Sequence, residues 1–200
     1  MNNAIKEVVD NLFEDICDNS GFLNDLFEEH NLGIFTGRMT GKTYLSSYII
    51  MKHISGLNYS PIIYSLSDEN PSFKMKHIGH YYNKNFKNEI LYDFKNMKHF
   101  NSIPKLIEGV VGVKADIVYI DEIFYWKFTD YELSTFFEIL RAKGIKIIIN
   151  STVPDWTKTE YINKLKQFMD FILIEDKIIK NLRGYNINLK IKNILERING

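Results

Sequence analysis

Cysteine is almost absent from this chain, which has Cys17 alone among its 200 residues. An intrachain disulfide is therefore excluded, and no group of Cys and His residues has the spacing of a zinc site. Nowhere do 18 apolar residues run together, which argues against a membrane-spanning helix. The residues after Met1 contain neither a basic nor an apolar region of the kind that begins a secretory signal. We expect an intracellular protein that has no membrane segment and is held together by its core.

Arginine is scarce as well, and the formal net charge of the chain is zero. The 25 basic residues balance the 25 acidic ones, and they include only four arginines, at 38, 141, 183 and 197. The charge is uneven, since residues 1–30 hold one Lys and eight acids, residues 72–106 hold seven Lys and two acids, and residues 177–200 hold six basic residues and one acid. Lysines in the two basic segments could contact nucleic-acid phosphates. The alternative is a solvated lysine-rich face over an aromatic core.

Hydrophobic residues are abundant, at 45% of the chain, and they are arranged in short runs. Apolar runs typical of buried strands occupy 32–35, 62–66, 117–120, 145–149 and 171–174, with helical patterns at 42–54, 101–111, 129–143 and 157–168. This alternation predicts an α/β protein with a mainly parallel sheet flanked by helices. Within the basic segment only 90–92 resembles a strand, and 177–200 could form a strand pair or a helix.

A glycine-rich turn follows the first predicted strand. Residues 36–43 read TGRMTGKT, which matches the P-loop pattern GxxxxGK[ST] except that Thr36 stands where the first Gly is expected. In a P-loop the backbone N–H groups wrap phosphate, the lysine balances its charge, and the last hydroxyl ligates Mg²⁺. The alternative is a turn that binds nothing. The candidate phosphate-binding residues are Thr36, Gly37, Arg38, Met39, Thr40, Gly41, Lys42 and Thr43.

A second motif, IVYIDE at 117–122, has the form of a Walker B element. Asp121 would hold the Mg²⁺ shell together with Thr43, and Glu122 would orient and deprotonate the attacking water. An Asp-Glu pair after a strand can also begin a helix. Since both motifs occur in the expected order, we predict an ATPase. The chain lacks a guanine-reading Asn-Lys-x-Asp element, which favours ATP over GTP, with Mg²⁺ as the second cofactor.

The fourth predicted strand ends in polar residues and gives a third motif, IIINST at 147–152. In P-loop ATPases with an additional central strand, such side chains lie beside the γ-phosphate, so Asn150 and Thr152 are candidate nucleotide contacts. The alternative is a polar turn before Pro154. An arginine finger could come from Arg38 in cis or from Arg141 in trans, although either arginine could be a surface ion-pair partner.

The three motifs together resemble those of viral genome-packaging ATPases, both terminase large subunits and FtsK/HerA-type packaging ATPases. The similarity covers about residues 32–175. Two positions depart from these patterns, since Val153 replaces the Gln of the FtsK/HerA pattern and Pro154 comes one residue later than in terminases. The resemblance implies a P-loop NTPase fold of the additional-strand (ASCE) type.

The same resemblance implies a homo-oligomeric ring that pumps double-stranded DNA into a preformed capsid in the host cytoplasm. A viral portal or procapsid and a nuclease or small subunit would be its partners. We expect a single ATPase domain over 1–200, with an N-terminal helical segment at 1–31, the ATPase core at 32–175 and a basic tail at 176–200.

Two other functions fit the same motifs. An AAA+-like switch, such as a helicase loader, would use Asn150 as a sensor and the acidic N-terminal helix as a docking surface. A scaffold with a degenerate P-loop would explain Thr36.

Overall fold

One β-sheet forms the centre of the computed structural model, which describes residue 27 and residues 31–36, 42–72, 75–76, 92–152, 159–169, 171–174 and 177–180. The strands are β1 (Leu32–Thr36), β2 (Ile63–Leu66), β3 (Met97–Phe100), β4 (Ile117–Asp121), β5 (Lys146–Thr152), β6 (Phe171–Ile174) and β7 (Lys177–Lys180). The helices are α1 (Lys42–Ser55), α2 (Ile103–Gly112), α3 (Asp130–Ala142) and α4 (Thr159–Phe168), with 3₁₀ turns at Phe94–Asn96 and Ile123–Tyr125.

The strand order is β3-β2-β4-β5-β1-β6-β7. All neighbouring strands run parallel except β6 and β7, which are antiparallel. Strand β5 therefore lies between β1, which leads into the glycine-rich turn, and β4, which ends in Asp121. This is the additional central strand that the sequence predicted. The α/β P-loop NTPase fold is confirmed.

The central strands are apolar on both faces because helices cover both. On one face, Val118 and Ile120 of β4 and Ile147 and Ile149 of β5 join a core cluster. Helices α2, α3 and α4 supply further members, namely Leu106, Val110, Leu133, Phe136, Phe137, Leu140 and Leu165. Helix α1 lies against β1 and β5 and buries Ile49, Ile50 and Ile54.

Helix α3 begins with a reciprocal capping box. The Thr129 hydroxyl accepts a hydrogen bond from Glu132 N at 3.2 Å, and Glu132 Oε2 accepts one from Thr129 N at 2.8 Å. These bonds satisfy N–H groups that have no partner within the helix. The Thr129 N–H, and after it the Thr129 hydroxyl, which donates to Glu132 Oε2 at 2.8 Å, lower the pKa of Glu132. The capping box therefore fixes the residue at which α3 begins, after the segment that follows β4.

The prediction of a strand at 90–92 was wrong at Tyr92, which lies outside any strand, and residues 90 and 91 lie outside the described residues. The strand of this region is β3, which pairs with β2 at the edge of the sheet. Strand β7 continues the sheet past residue 175, where the predicted core ended. Of the predicted N-terminal segment, Phe27 is helical and buried, whereas 1–26 and 28–30 are not described, and neither are 181–200. Within the described ranges, no helix is long and apolar enough to cross a membrane.

Candidate functional site

The carboxyl ends of β1, β4 and β5 lie side by side at one edge of the sheet. Thr36 pairs with Thr152 in the register of β1 and β5, and Asp121 pairs with Asn150 in the register of β4 and β5. Ligands of open α/β sheets bind beyond this edge. The sheet topology therefore brings residues that are far apart in the sequence to the start of α1 at Lys42.

Lys42 is the basic group of the site, and its side chain is only 8% exposed. Its Nζ lies 3.0 Å from Glu122 Oε1 and donates a hydrogen bond to Thr152 Oγ1 at 2.8 Å. A buried ammonium group is costly unless it is paired, so these contacts keep the charge in place. The structure thus brings together Lys42, Glu122 and Thr152, one residue from each of the three motifs.

The Glu122 carboxylate has further hydrogen-bond donors at the end of β5. Its Oε2 accepts bonds from Thr152 N at 2.7 Å and Ser151 Oγ at 3.0 Å, and its Oε1 lies 3.1 Å from the Thr152 hydroxyl. Burial raises the pKa of Glu122, but the Thr152 N–H, the Lys42 ammonium and the Ser151 hydroxyl lower it by more. The net pKa lies below the ordinary value of 4.5, so the carboxylate is ionised at neutral pH.

The backbone of Glu122 is in the left-handed region, with φ 56° and ψ 50°. It is the only residue other than glycine with positive φ in the described part of the chain. Such a conformation costs on the order of 1 kcal/mol and is frequent at functional sites. The Glu122 N–H donates to the Asn150 carbonyl at 2.7 Å, which secures the turn out of β4. This turn places the carboxylate against the end of β5.

A buried polar network lies behind Asp121. Tyr119 and Asn150 are both 0% exposed, and Asn150 Nδ2 donates to the Tyr119 hydroxyl at 2.9 Å and to Ser46 Oγ at 3.2 Å. The Tyr119 hydroxyl also hydrogen-bonds the Asp121 side chain. Burial first, and then the charge of Asp121, raise the pKa of Tyr119 well above its ordinary value. The sequence predicts Asn150 as a nucleotide contact. In the structure its amide nitrogen contacts Ser46 and Tyr119.

A cavity of about 420 Å³ opens beside Asp121 and Glu122. The Trp126 indole N–H, at its wall, donates to the Asp121 carbonyl at 2.7 Å, which holds the ring against the end of β4. Asp68 and Glu69, just beyond β2, add two carboxylates that the sequence analysis did not single out. The described residues that line the cavity are Asp68, Glu69, Pro71, Asp121, Glu122, Tyr125 and Trp126.

Comparison with known proteins gives neither a matching family model nor a matching curated protein. Among solved structures, a KaiC-like protein from the hyperthermophilic archaeon Pyrococcus horikoshii OT3 is similar, with 16% identity over 72% of this chain and 69% of that chain and a TM-score of 0.48. The cytoplasmic domain of EssC is similar at 13% identity over 86% of this chain and 45% of that chain, with a TM-score of 0.38. The assignment of the fold rests on the strand order and on the position of the three motifs in the sheet.

Two described residues of the glycine-rich turn flank its central part. Thr36 ends β1, and Thr43 lies in the first turn of α1, where its carbonyl accepts a hydrogen bond from Ser47 Oγ at 2.7 Å. The residues between Thr36 and Lys42, namely Gly37, Arg38, Met39, Thr40 and Gly41, lie outside the described residues.

Arg141 lies exposed at the carboxyl end of α3, just before β5 begins at Lys146. Because the seven residues of β5 span roughly 20 Å, Arg141 stands at the opposite edge of the sheet from Glu122 in the same chain. It cannot reach its own site from there. A trans role for Arg141 stays a prediction.

Thr43 and Asp121 offer oxygen ligands of the kind that Mg²⁺ prefers, and Mg²⁺ in nucleotide sites keeps several waters and phosphate ligands. Among the residues that the structure describes, no group of three or more His, Cys, Asp or Glu side chains is arranged to hold a metal by itself. The donor set therefore fits an ion that the nucleotide phosphates hold in large part.

Proposed function

We propose that this chain is an ATPase whose turnover moves double-stranded DNA, and that the work done is the packaging of a viral genome into a capsid. The observation that carries the ATPase part is the convergence of Lys42, Glu122 and Thr152 at the carboxyl edge of a parallel sheet. A lysine from the P-loop and a carboxylate that positions water are groups that nucleotide hydrolysis uses at one place. The hydroxyl from the strand between them contacts both.

Each group has a distinct role in this proposal. Lys42 balances the charge of the phosphates, and the glycine-rich turn supplies backbone N–H groups to them. Ionised Glu122 orients the attacking water and accepts its proton. Mg²⁺, held by Thr43 and Asp121, would neutralise charge that develops on the phosphate oxygens. Thr152 hydrogen-bonds both Lys42 and Glu122, so its position links the phosphate side of the site to the water side.

The DNA part of the proposal is supported by the motif resemblance and by lysines. The four lysines that are described within the basic segment 72–106 are all exposed, namely Lys76, Lys95, Lys98 and Lys105. Exposed lysines bind phosphates without reading sequence, as a translocase requires. A homo-oligomeric ring, a portal or procapsid, a nuclease or small subunit, and action in the host cytoplasm belong to the same proposal through the resemblance.

Steady-state ATP hydrolysis by the wild type and by Glu122→Gln, with and without double-stranded DNA, tests the proposal. We expect DNA to accelerate the wild type and the variant to lose roughly 10²–10⁴-fold in kcat, the usual contribution of a general base. Glu138→Gln, an exposed glutamate of α3, is the matched control and should hydrolyse ATP as the wild type does. Hydrolysis that ignores DNA would support the AAA+-like switch, and no hydrolysis under any condition would refute the ATPase.

The lysines are tested separately with Lys95→Gln and Lys98→Gln combined. This variant should show a lower DNA-stimulated rate and a shallower dependence of DNA affinity on salt, because fewer phosphates are neutralised. The matched control is Lys114→Gln, an exposed lysine that precedes β4 and lies outside the basic segment 72–106. Equal effects of the two changes would refute a role for residues 95–98 in DNA contact.

A further inference from the structure

Tyr119 is a polar residue inside a strand that is otherwise aliphatic up to its final acid. Strand β4 reads IVYID, and Tyr119 is 0% exposed in its centre. Packing alone would be satisfied by phenylalanine, since a buried tyrosine must find a hydrogen-bond partner for its hydroxyl or lose free energy. The packing of the core therefore does not explain why this position carries a hydroxyl group.

The partners of that hydroxyl connect two of the sequence motifs. It hydrogen-bonds the Asp121 side chain, two residues further along the same face of β4, and it accepts a hydrogen bond from Asn150 Nδ2 at 2.9 Å. The single proton of the hydroxyl is thereby directed at the carboxylate, since the amide N–H group of Asn150 can only donate.

Asn150 is itself fixed on both sides. Its Nδ2 also donates to Ser46 Oγ at 3.2 Å, and Ser46 Oγ donates to the Lys42 carbonyl at 2.9 Å. Asn150 also pairs with Asp121 in the register of β4 and β5. A continuous chain of hydrogen bonds thus runs from the first turn of α1 through β5 and Tyr119 to Asp121. All the residues that form this series of hydrogen bonds, other than Asp121, are buried.

We propose that Tyr119 is a positioning residue that, held by Asn150, fixes the Asp121 carboxylate in the orientation that receives the Mg²⁺ of a bound magnesium–nucleotide complex. This inference rests on the proposed function, because it assigns Asp121 to the metal. One hydrogen bond from Tyr119 leaves the carboxylate with lone pairs for a metal shell. Groups that orient a ligand in this way typically change metal affinity 10–100-fold when they are removed.

The test is Tyr119→Phe, which keeps the ring and removes the hydroxyl. The affinity for a fluorescent ATP analogue is measured across a Mg²⁺ titration and again in excess EDTA. We expect the Mg²⁺ concentration at half-maximal binding to rise about 10–100-fold, while affinity in EDTA changes less than about twofold. A variant that was merely damaged would lose affinity under both conditions.

Tyr64→Phe is the matched control, since Tyr64 is 1% exposed on β2 but belongs to the core cluster on the opposite face of the sheet. It should leave the Mg²⁺ requirement unchanged. A double-mutant cycle with Asp121→Asn gives a second readout, because removal of the Tyr119 hydroxyl should have little further effect once the carboxylate is gone. Thermal unfolding of each variant shows that the comparison is made between folded proteins.

Three outcomes decide the matter. A Mg²⁺ requirement that rises in Tyr119→Phe alone, and only when Asp121 is present, supports the inference. Equal Mg²⁺ requirements in Tyr119→Phe and Tyr64→Phe overturn it while leaving the proposed function intact. A wild type that binds the nucleotide without any dependence on Mg²⁺ overturns the inference and the assignment of Asp121 to the metal, whereas the ATPase is refuted separately, by the absence of hydrolysis.

Discussion

Replacement of Glu122 by Gln should destabilise the fold as well as slow hydrolysis. Glu122 Oε1 lies 3.0 Å from Lys42 Nζ, and the Lys42 side chain is 8% exposed, so the change leaves a buried ammonium without its anion. A hydrogen bond to a charged group contributes about 1.5–3 kcal/mol. Because the Glu122 side chain is 34% exposed, water screens part of this interaction. We expect a loss of about 1–2 kcal/mol in unfolding free energy at neutral pH.

The loss should depend on pH, and its sign follows from the pKa of Glu122. Burial raises this pKa, but the Thr152 N–H and Lys42 lower it by more, so the folded value lies below the ordinary 4.5. The unfolded chain therefore binds more protons than the folded protein in the acid range. The stability that the Glu122 carboxylate contributes is complete above its unfolded pKa and is lost as the pH falls through the folded pKa. The gap in stability between wild type and variant should thus narrow in acid.

Urea unfolding followed by circular dichroism, at neutral pH and at several pH values below 5, measures this gap. The other carboxylates titrate in both proteins, so their contributions cancel in the difference between the two unfolding free energies. Glu138→Gln, an exposed change on α3, should stay within about 0.5 kcal/mol of the wild type at every pH. A gap that stays constant down to acid pH, or a Glu122→Gln protein as stable as the wild type at neutral pH, would refute the assigned ion pair.

Two further predictions concern α2 and α3. An added Cβ at Gly109 would lie 2.8 Å from Phe100 Cζ and 3.0 Å from Tyr64 Cε2, whereas one at Gly112 would meet nothing within 4 Å. At Gly109 the cost of overpacking, about 1–3 kcal/mol, should exceed the gain in helix propensity of up to about 1 kcal/mol. In thermal unfolding we therefore expect Gly109→Ala to lower Tm and Gly112→Ala to maintain or raise it. Thr129→Ala should lose about 1 kcal/mol in urea unfolding because the N-cap of α3 is removed, and Thr129→Ser should retain most of it. Equal effects within either pair would contradict these assignments.

The central strands could be predicted from the sequence because burial on both faces leaves a continuous apolar run. The edge strand β3 could not be predicted in this way, because its sequence MKHF contains the exposed Lys98 and is not a continuous apolar run. The strand is paired only on the β2 side. Its place in the sheet depends on pairing with Ile63–Leu66, more than 30 residues earlier, and no local pattern encodes such a partner. Hydrophobicity favours the apolar triplet at 90–92 instead.

The site was predictable to the extent that its residues form known motifs. The P-loop and Walker B motifs, each after an apolar strand and in the expected order, predict Lys42, Asp121 and Glu122, and the structure places Lys42 and Glu122 in contact. The contacts of Glu122 with Thr152 and Ser151 could not be derived, because they depend on the left-handed turn after β4 and on the register of β5. Asp68 and Glu69 follow β2 without any motif, and only the sheet order brings them beside Glu122.

Polar residues inside buried strands carry structural information that the three motifs do not contain. In β4 the side chains of Val118 and Ile120 enter the core cluster, so the alternation of a strand puts Tyr119 and Asp121 together on the face toward α1. Asn150 pairs with Asp121 in the register and lies on that same face. A buried tyrosine and a buried asparagine each need a partner, and two neighbouring strands offer them to each other. The register of β4 and β5 is therefore the one additional fact that turns these two polar residues into a predicted Tyr119–Asn150 contact, which the structure contains at 2.9 Å.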